Sequence, residues 1–180
     1  DGRADVGEAL VQADLAKTLR AIAKEGPEVV QSGRIAQQIA AEVKKRGGLL
    51  SPNDLAGYAP KWRAPVVGRY RDYAVYSFPP PSSGGAVLLQ CLNILEGFDL
   101  AATGPGSSAS LHRVSEAMKL AFADRAAYMG DADFVDVPVA RLISREYADA
   151  QRARMDPAKA IEVAAPGLPA DDAGTAHLSV

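Results

Sequence analysis

The sequence predicts an α+β fold that is mostly helical, with one β-hairpin and one strand at the end of the chain. Three observations lead to this prediction. Apolar residues recur at helical spacing in several segments, and two runs rich in β-branched and aromatic residues are separated by only two residues. Finally, His177-Leu178-Ser179-Val180 alternates polar and apolar side chains, as a strand with one buried face does.

Two amphipathic helices and a shorter one are predicted at the start. Asp14 is placed to cap the first helix, which ends at Gly26-Pro27, and Gly47-Gly48 ends the second. Ser51-Pro52 begins the third. The predicted core-facing residues are Leu15, Leu19, Ile22 and Ala23 in the first helix and Ile35, Ala36, Ile39 and Val43 in the second.

The middle of the chain predicts a hairpin followed by two longer helices. The strands are 66–70 and 73–78, separated by Arg71-Asp72. The next helix follows Ser82-Ser83-Gly84-Gly85, and a loop at 100–110 leads to the second. The predicted apolar faces are Val87, Leu88, Cys91, Ile94 and Leu95 in the first of these helices and Leu111, Val114, Met118, Ala121 and Phe122 in the second. Residues 158–174 predict an exposed, flexible segment.

Composition excludes some function classes. With 20 basic and 22 acidic residues, the net charge is −2 and no block of like charge occurs, so nucleic acid is not an expected partner. No apolar run approaches 18 residues, and no signal peptide is recognised. The single Cys91 has no partner for an internal disulfide and lies in an apolar helix, which favours core packing over a reactive thiol.

Several polar residues allow both a structural and a chemical interpretation. Arg125 falls on an apolar helical stripe and is either a clamp for a substrate carboxylate or, as we favour, paired with Asp124, Asp131 or Asp133. A helix-end contact is favoured for His112. A helix cap is favoured over an anion site at 82–85, since P-loop and dinucleotide patterns are missing. Asp131, Asp133 and Asp136 lack the glycine and glutamate of an EF-hand loop, so no metal site is predicted.

The last residues predict nucleophilic chemistry at Thr175. A threonine hydroxyl needs an adjacent base, and the nearest one available would be its own α-amino group if the Gly174–Thr175 bond were cut. A free α-amine has a pKa of about 7.7–8.0, so it exchanges protons near neutral pH. Gly174 has no Cβ, which leaves its carbonyl open to attack by the Thr175 hydroxyl.

Several strings, in this order, resemble the γ-glutamyltranspeptidase family. They are Phe78-Pro79-Pro80-Pro81-Ser82-Ser83-Gly84-Gly85, Leu92-Asn93-Ile94-Leu95-Glu96-Gly97-Phe98, His112 with the run from Glu116 to Arg125, Gly130-Asp131 with Asp133-Phe134, and Gly174-Thr175-Ala176-His177. The resemblance implies a precursor that cleaves itself before Thr175. Residues 1–174 would then be the C-terminal half of a large subunit, and residues 175–180 the start of a small subunit.

The resemblance also implies a complete αββα N-terminal-nucleophile hydrolase fold and a γ-glutamyl-enzyme formed on Thr175. Glutathione or a related γ-glutamyl amide would be the donor, and an amino acid, a dipeptide or water the acceptor. No metal or organic cofactor is implied. The partners would be the upstream and downstream parts of the same precursor, so this chain alone is expected to be inactive. Export to the periplasm or cell exterior is expected from the family.

Two alternatives remain open from the sequence. Within the same family, the protein could be an acylase acting on glutaryl-cephalosporin-type amides, or a hydrolase with little transfer activity. From another class, it could be a non-catalytic scaffold that kept the fold and lost the chemistry. The presence of Thr175 argues against the scaffold.

Overall fold

The computed structural model describes residues 4–162 and 164–168, and it confirms the predicted α+β class. The chain divides into two compact units, Asp1–Trp62 and Arg63–Val180. The predicted terminal strand at 177–180 lies outside the described residues. Within the described part of the chain, no helix is both long and apolar enough to span a bilayer.

The first unit is helical throughout its regular structure. Its small core joins Ala21, Val29 and Ile35, which lie on three different helices. A capping box begins the last helix: the Ser51 hydroxyl accepts from the Asp54 backbone N–H at 3.3 Å, and the Ser51 N–H donates to the Asp54 carboxylate at 2.8 Å. The helices are α1 Ala13–Glu25, α2 Glu28–Gln31, α3 Arg34–Lys45 and α4 Pro52–Gly57.

The first helix differs from its prediction in two respects. Gln12, not Asp14, is the N-cap residue, and Asp14 lies in the first turn with an ion pair to Lys17 at 2.9 Å. Leu15 and Leu19, predicted to face the core, are exposed, whereas Ala21 is buried. The residues that α1 contributes to this small core, Ala21 and Ile22, lie in the second half of the helix.

The second unit pairs a β-hairpin with a set of helices. Strands β1 Val66–Tyr70 and β2 Tyr73–Ser77 are antiparallel, with Val66 opposite Ser77 and Tyr70 opposite Tyr73, as the sequence predicts. Arg71 makes the turn with φ of 53°, and its N–H donates to the Glu96 carboxylate at 2.6 Å. The helices are α5 Gly84–Glu96, α6 Leu100–Thr103, α7 Ser108–Tyr128, α8 Val139–Leu142 and α9 Arg145–Arg152.

Helix α5 is the central element of this unit. The hairpin, α7 and α9 all pack against it. Its buried residues are therefore spread around the helix, and they include two polar side chains, Gln90 and Asn93, that the predicted apolar face omitted. The Asn93 amide donates to the Ile143 carbonyl at 2.6 Å, which satisfies a polar group inside the core.

Two predictions for the α6–α7 region are wrong. The expected loop contains the short helix α6, which Asp99 caps by accepting from the Ala102 N–H at 3.0 Å. On α7, the predicted stripe is largely exposed: Leu111, Met118 and Phe122 show 58%, 47% and 48% of their surface. Ala121 of that stripe is buried as predicted, but the other buried residues of α7 were not in the stripe: Glu116, Ala117, Leu120, Asp124 and Tyr128.

Two hydrophobic clusters form the core of the second unit, and three residues near the end of the described chain contribute to them. Leu168 is buried in the cluster of Tyr128, Leu142 and Tyr147. Ile161 and Ala164 pack against the other cluster, which contains Ile94, Leu95, Ala117, Leu120 and Ala148. The predicted exposure is confirmed for residues 158–160, 162 and 165–167, and it is wrong for Ile161, Ala164 and Leu168, whose side chains pack against the two clusters.

Candidate functional site

The predicted nucleophile and cleavage position, Thr175 and Gly174, lie outside the described residues. The last described residue, Leu168, stands six positions before Gly174. We call residues 161–162 and 164–168 the approach segment, since the chain passes through them to reach Gly174. Its contacts are the described geometry nearest in sequence to the predicted chemistry.

Asp124 on α7 is the centre of these contacts and is completely buried. One carboxylate oxygen, Oδ2, accepts from the Gln90 amide, from the Tyr147 hydroxyl at 2.7 Å and from the Gln151 amide at 2.6 Å. The other, Oδ1, accepts from the Gly167 backbone N–H at 2.7 Å. Four donors therefore satisfy a carboxylate that would otherwise be strongly unfavourable in the core.

Arg154 fixes the orientation of one of these donors. Its guanidinium donates to Gln151 Oε1 at 2.5 Å and to the Ala165 carbonyl at 2.7 Å. Because arginine has no acceptor, the Gln151 carbonyl oxygen must face it, and the Gln151 NH₂ group is then directed at Asp124. The same arginine thus joins α9 to the approach segment.

A second side chain of α7 holds Leu168, the residue after Gly167. The Tyr128 hydroxyl donates to the Leu168 carbonyl at 2.9 Å, and Leu168 itself is only 6% exposed. Burial and the nearby Asp124 charge raise the pKa of both Tyr128 and Tyr147, so both hydroxyls stay protonated and act as donors. Asp124 and Tyr128, one helical turn apart on α7, therefore bind consecutive residues of the approach segment.

Glu116 forms a second attachment at the start of the approach segment. Its Oε2 accepts from the Ile161 N–H at 2.7 Å, and its Oε1 accepts from the Lys119 ammonium at 2.8 Å. Lys119 also donates to the Ile161 carbonyl at 2.8 Å. Burial opposes ionisation of Glu116, but the bonds from Lys119 and Ile161 outweigh it, so the pKa of this carboxyl lies below its usual value.

The other polar residues considered from the sequence have structural contacts. Arg125 is exposed; it donates to the Ser83 hydroxyl at 2.8 Å and lies over the Phe122 ring. Its three expected partners are engaged elsewhere, since Asp124 is in the buried network and Asp131 and Asp133 contact Arg63 at 3.8 and 2.7 Å. The expected ion pair is therefore replaced by a hydrogen bond.

His112 and Cys91 follow the structural interpretations favoured from the sequence, and the serines before α5 do so only in part. His112 Nε2 lies 2.8 Å from the Asp156 carbonyl, to which it can only donate. Ser83 is the N-cap residue of α5 but its side chain makes no cap hydrogen bond; the preceding Ser82 hydroxyl instead accepts from the Gly84 N–H at 3.3 Å. Burial raises the pKa of the Cys91 thiol to about 11, so very little thiolate forms at neutral pH. Asp136 lies near Asp131 and Asp133 in sequence, but no cluster of three or more metal-binding side chains occurs among the described residues.

Comparison with known proteins identifies the family. The family model described as gamma-glutamyltranspeptidase matches residues 2–180. The chain belongs to the γ-glutamyltranspeptidase family. The relatives are enzymes by name: a glutathione hydrolase proenzyme of Escherichia coli K12 is 47% identical over 97% of this chain, and an acylase ACY 1 proenzyme of Pseudomonas sp. SE83 is 42% identical over 97% of it.

The structural comparison agrees with this assignment. The crystal structure of Helicobacter pylori gamma-glutamyltranspeptidase matches with a TM-score of 0.79 at 47% identity, covering 89% of this chain and 47% of that one. The chain spans 31% of the length of each of the two curated relatives. It is therefore similar to one continuous part of a γ-glutamyltranspeptidase precursor.

We predict that Glu116→Gln destabilises the full-length protein at pH 7 by about 1–3 kcal/mol, because a charged acceptor of two hydrogen bonds is lost. The folded-state pKa of Glu116 is lowered, so its contribution is present above the unfolded value of about 4.3 and is lost as the pH falls through the folded value. Thermal unfolding of the parent and the variant at pH 7 measures the loss of stability. The same comparison at pH 3.5 measures how far that loss decreases at low pH.

Glu162→Gln is the matched control, since Glu162 is an exposed residue of the approach segment, next to the Ile161 that Glu116 binds. It should leave the melting temperature unchanged at both pH values. A Glu116→Gln melting temperature equal to that of the parent at pH 7 would contradict the assigned role.

Proposed function

We propose that the full-length protein cleaves itself between Gly174 and Thr175 and then uses Thr175 to transfer or hydrolyse γ-glutamyl groups. The observation that carries the proposal is the family match over residues 2–180, which extends across Thr175. The printed names of the relatives, glutathione hydrolase proenzyme and acylase proenzyme, support both an enzymatic activity and a precursor.

Self-cleavage begins when the Thr175 hydroxyl oxygen attacks the Gly174 carbonyl carbon. The peptide C–N bond breaks as the C–O bond forms, and the proton lost by the hydroxyl ends on the departing Thr175 nitrogen. Water then hydrolyses the ester, which leaves a Gly174 carboxylate and a free Thr175 α-amine. Thr175 then carries both the nucleophile, its hydroxyl oxygen, and the base, its α-amino nitrogen.

In turnover, the free α-amine accepts the proton of the Thr175 hydroxyl as the oxygen attacks the γ-carbonyl of the donor. The γ-amide C–N bond breaks, the donor amine leaves with the proton, and a γ-glutamyl ester remains on Thr175. Water or the amine of an amino acid or dipeptide then takes the γ-glutamyl group and restores the hydroxyl. No step requires an electron acceptor.

The rest of the precursor is the proposed partner of this chain. Since the chain spans 31% of each of the two curated relatives, we propose that the substrate carboxylate clamp and the oxyanion-stabilising groups come from outside it. Acylase activity on glutaryl-type amides is the second candidate, favoured by the 42% identity to the acylase ACY 1 proenzyme. Relative kcat/KM values for γ-glutamyl and glutaryl amides discriminate the two.

We predict that purified full-length protein at neutral pH yields a new chain beginning Thr175-Ala176-His177, detected by N-terminal sequencing and intact mass. Thr175→Ala should remain uncut because the attacking hydroxyl is missing. Thr175→Ser retains a hydroxyl and should still cleave. Thr18→Ala, which alters a threonine on α1, is the matched control and should cleave like the parent. An uncut parent would contradict the proposed function.

We also predict that the 180-residue chain by itself has no γ-glutamyl turnover, since the remaining groups of the site lie in other parts of the precursor. Release of product from a chromogenic γ-glutamyl anilide measures this, with the Thr175→Ala chain as background. Turnover clearly above that background would show that the chain carries a complete site.

A further inference from the structure

We propose that Asp124 and Tyr128 are positioning residues for self-cleavage, which hold Gly167 and Leu168 so that the chain reaches Gly174 and Thr175 from a fixed point. The inference rests on the proposed function, because it assigns a role in the same cleavage. Neither residue is assigned to the chemistry; each would affect cleavage only through its hydrogen bond to the approach segment.

The contacts bind one backbone N–H group and one backbone carbonyl group of the approach segment. Asp124 accepts from the Gly167 N–H at 2.7 Å, and Tyr128 donates to the carbonyl of the next residue, Leu168, at 2.9 Å. Because the Gly167 N–H and the Leu168 carbonyl are both bonded, the orientation of the backbone at these two residues is fixed as well as its position. The buried Leu168 side chain adds a third, apolar attachment at the same point.

Gly167 fits the network because it has no side chain. A Cβ atom at this position would overlap the Tyr147 hydroxyl and the Gln151 amide, which are themselves held by Asp124. With any larger residue at position 167, either these two side chains or the backbone that donates to Asp124 must shift. Gly167→Ala should push the segment away from both Asp124 and Tyr128.

The attachment limits the freedom of the cleavage position. Gly174 is six residues beyond Leu168 and lies within roughly 20 Å of it even in a fully extended chain. If Gly167 and Leu168 detach, the next attachment upstream is Ala165, bonded to Arg154 at 2.7 Å, and the free stretch grows from six to nine residues. The longer loop alone should slow cleavage about twofold, and loss of orientation should slow it further.

Two buried tyrosines provide a matched comparison. Tyr128 and Tyr147 are each 7% exposed and each donates one hydrogen bond in the same network. Only the Tyr128 bond ends on the approach segment. A purely structural role predicts that Tyr128→Phe and Tyr147→Phe slow cleavage in proportion to their loss of melting temperature, whereas a positioning role predicts slowing specific to Tyr128→Phe.

The experiment follows release of the Thr175 N-terminus over time in the full-length protein, well below the melting temperature of each variant. Gly167→Ala should slow release at least about twofold, and Tyr128→Phe should be slower than Tyr147→Phe at equal melting temperature. Gly57→Ala is the matched glycine control, since a Cβ at position 57 meets nothing within 4 Å, and it should cleave like the parent.

The possible outcomes separate this inference from the proposed function. Equal slowing of the two tyrosine variants, or parent-like rates in both Gly167→Ala and Tyr128→Phe, would overturn the positioning role while self-cleavage stands. An uncut parent would instead contradict the proposed function. If Gly167→Ala fails to fold, the comparison of cleavage rates between Tyr128→Phe and Tyr147→Phe still tests the positioning role.

Discussion

The buried carboxylate of Asp124 is the constraint on which the second unit of this protein depends. A charge in the core is tolerated only when donors surround it, and the four donors come from three separate parts of the chain. Gln90 is on α5, Tyr147 and Gln151 are on α9, and Gly167 is in the approach segment. Satisfying one charge thus joins two helices and the approach segment to α7.

Local signals predicted much of the fold. The hairpin and the start of α4 at Ser51-Pro52 were predicted correctly because turn and cap residues act over a few positions. Apart from Ala121, the buried side of α7 was missed because Met118 and Phe122 look like core residues, although they are about half exposed, and Asp124 looks like a surface residue. Its donors lie up to 43 residues away, and no local pattern encodes them.

In the candidate site, too, the locally encoded feature was predicted and the feature that depends on distant contacts was not. The sequence predicted Thr175 from its chemistry and from a family resemblance that the comparisons confirm at the level of the family. The attachment of the approach segment was missed, since a stretch rich in proline, alanine and glycine is typical of a loop. The one available signal was Gly167. The reason for a glycine there is visible only in the structure, where the Tyr147 and Gln151 side chains leave little room for a Cβ atom.

The docking of Gly167 on Asp124 is tested most directly by hydrogen exchange of the Gly167 amide in the full-length Thr175→Ala protein. Mass spectrometry with fragmentation at single-residue resolution provides the rate, and Gly106, in an exposed loop, is the internal reference. A hydrogen bond to the fully buried Asp124 carboxylate predicts that the Gly167 amide exchanges far more slowly than that of Gly106. Exchange of Gly167 at the rate of a free loop amide would contradict the docking and the role assigned to Asp124.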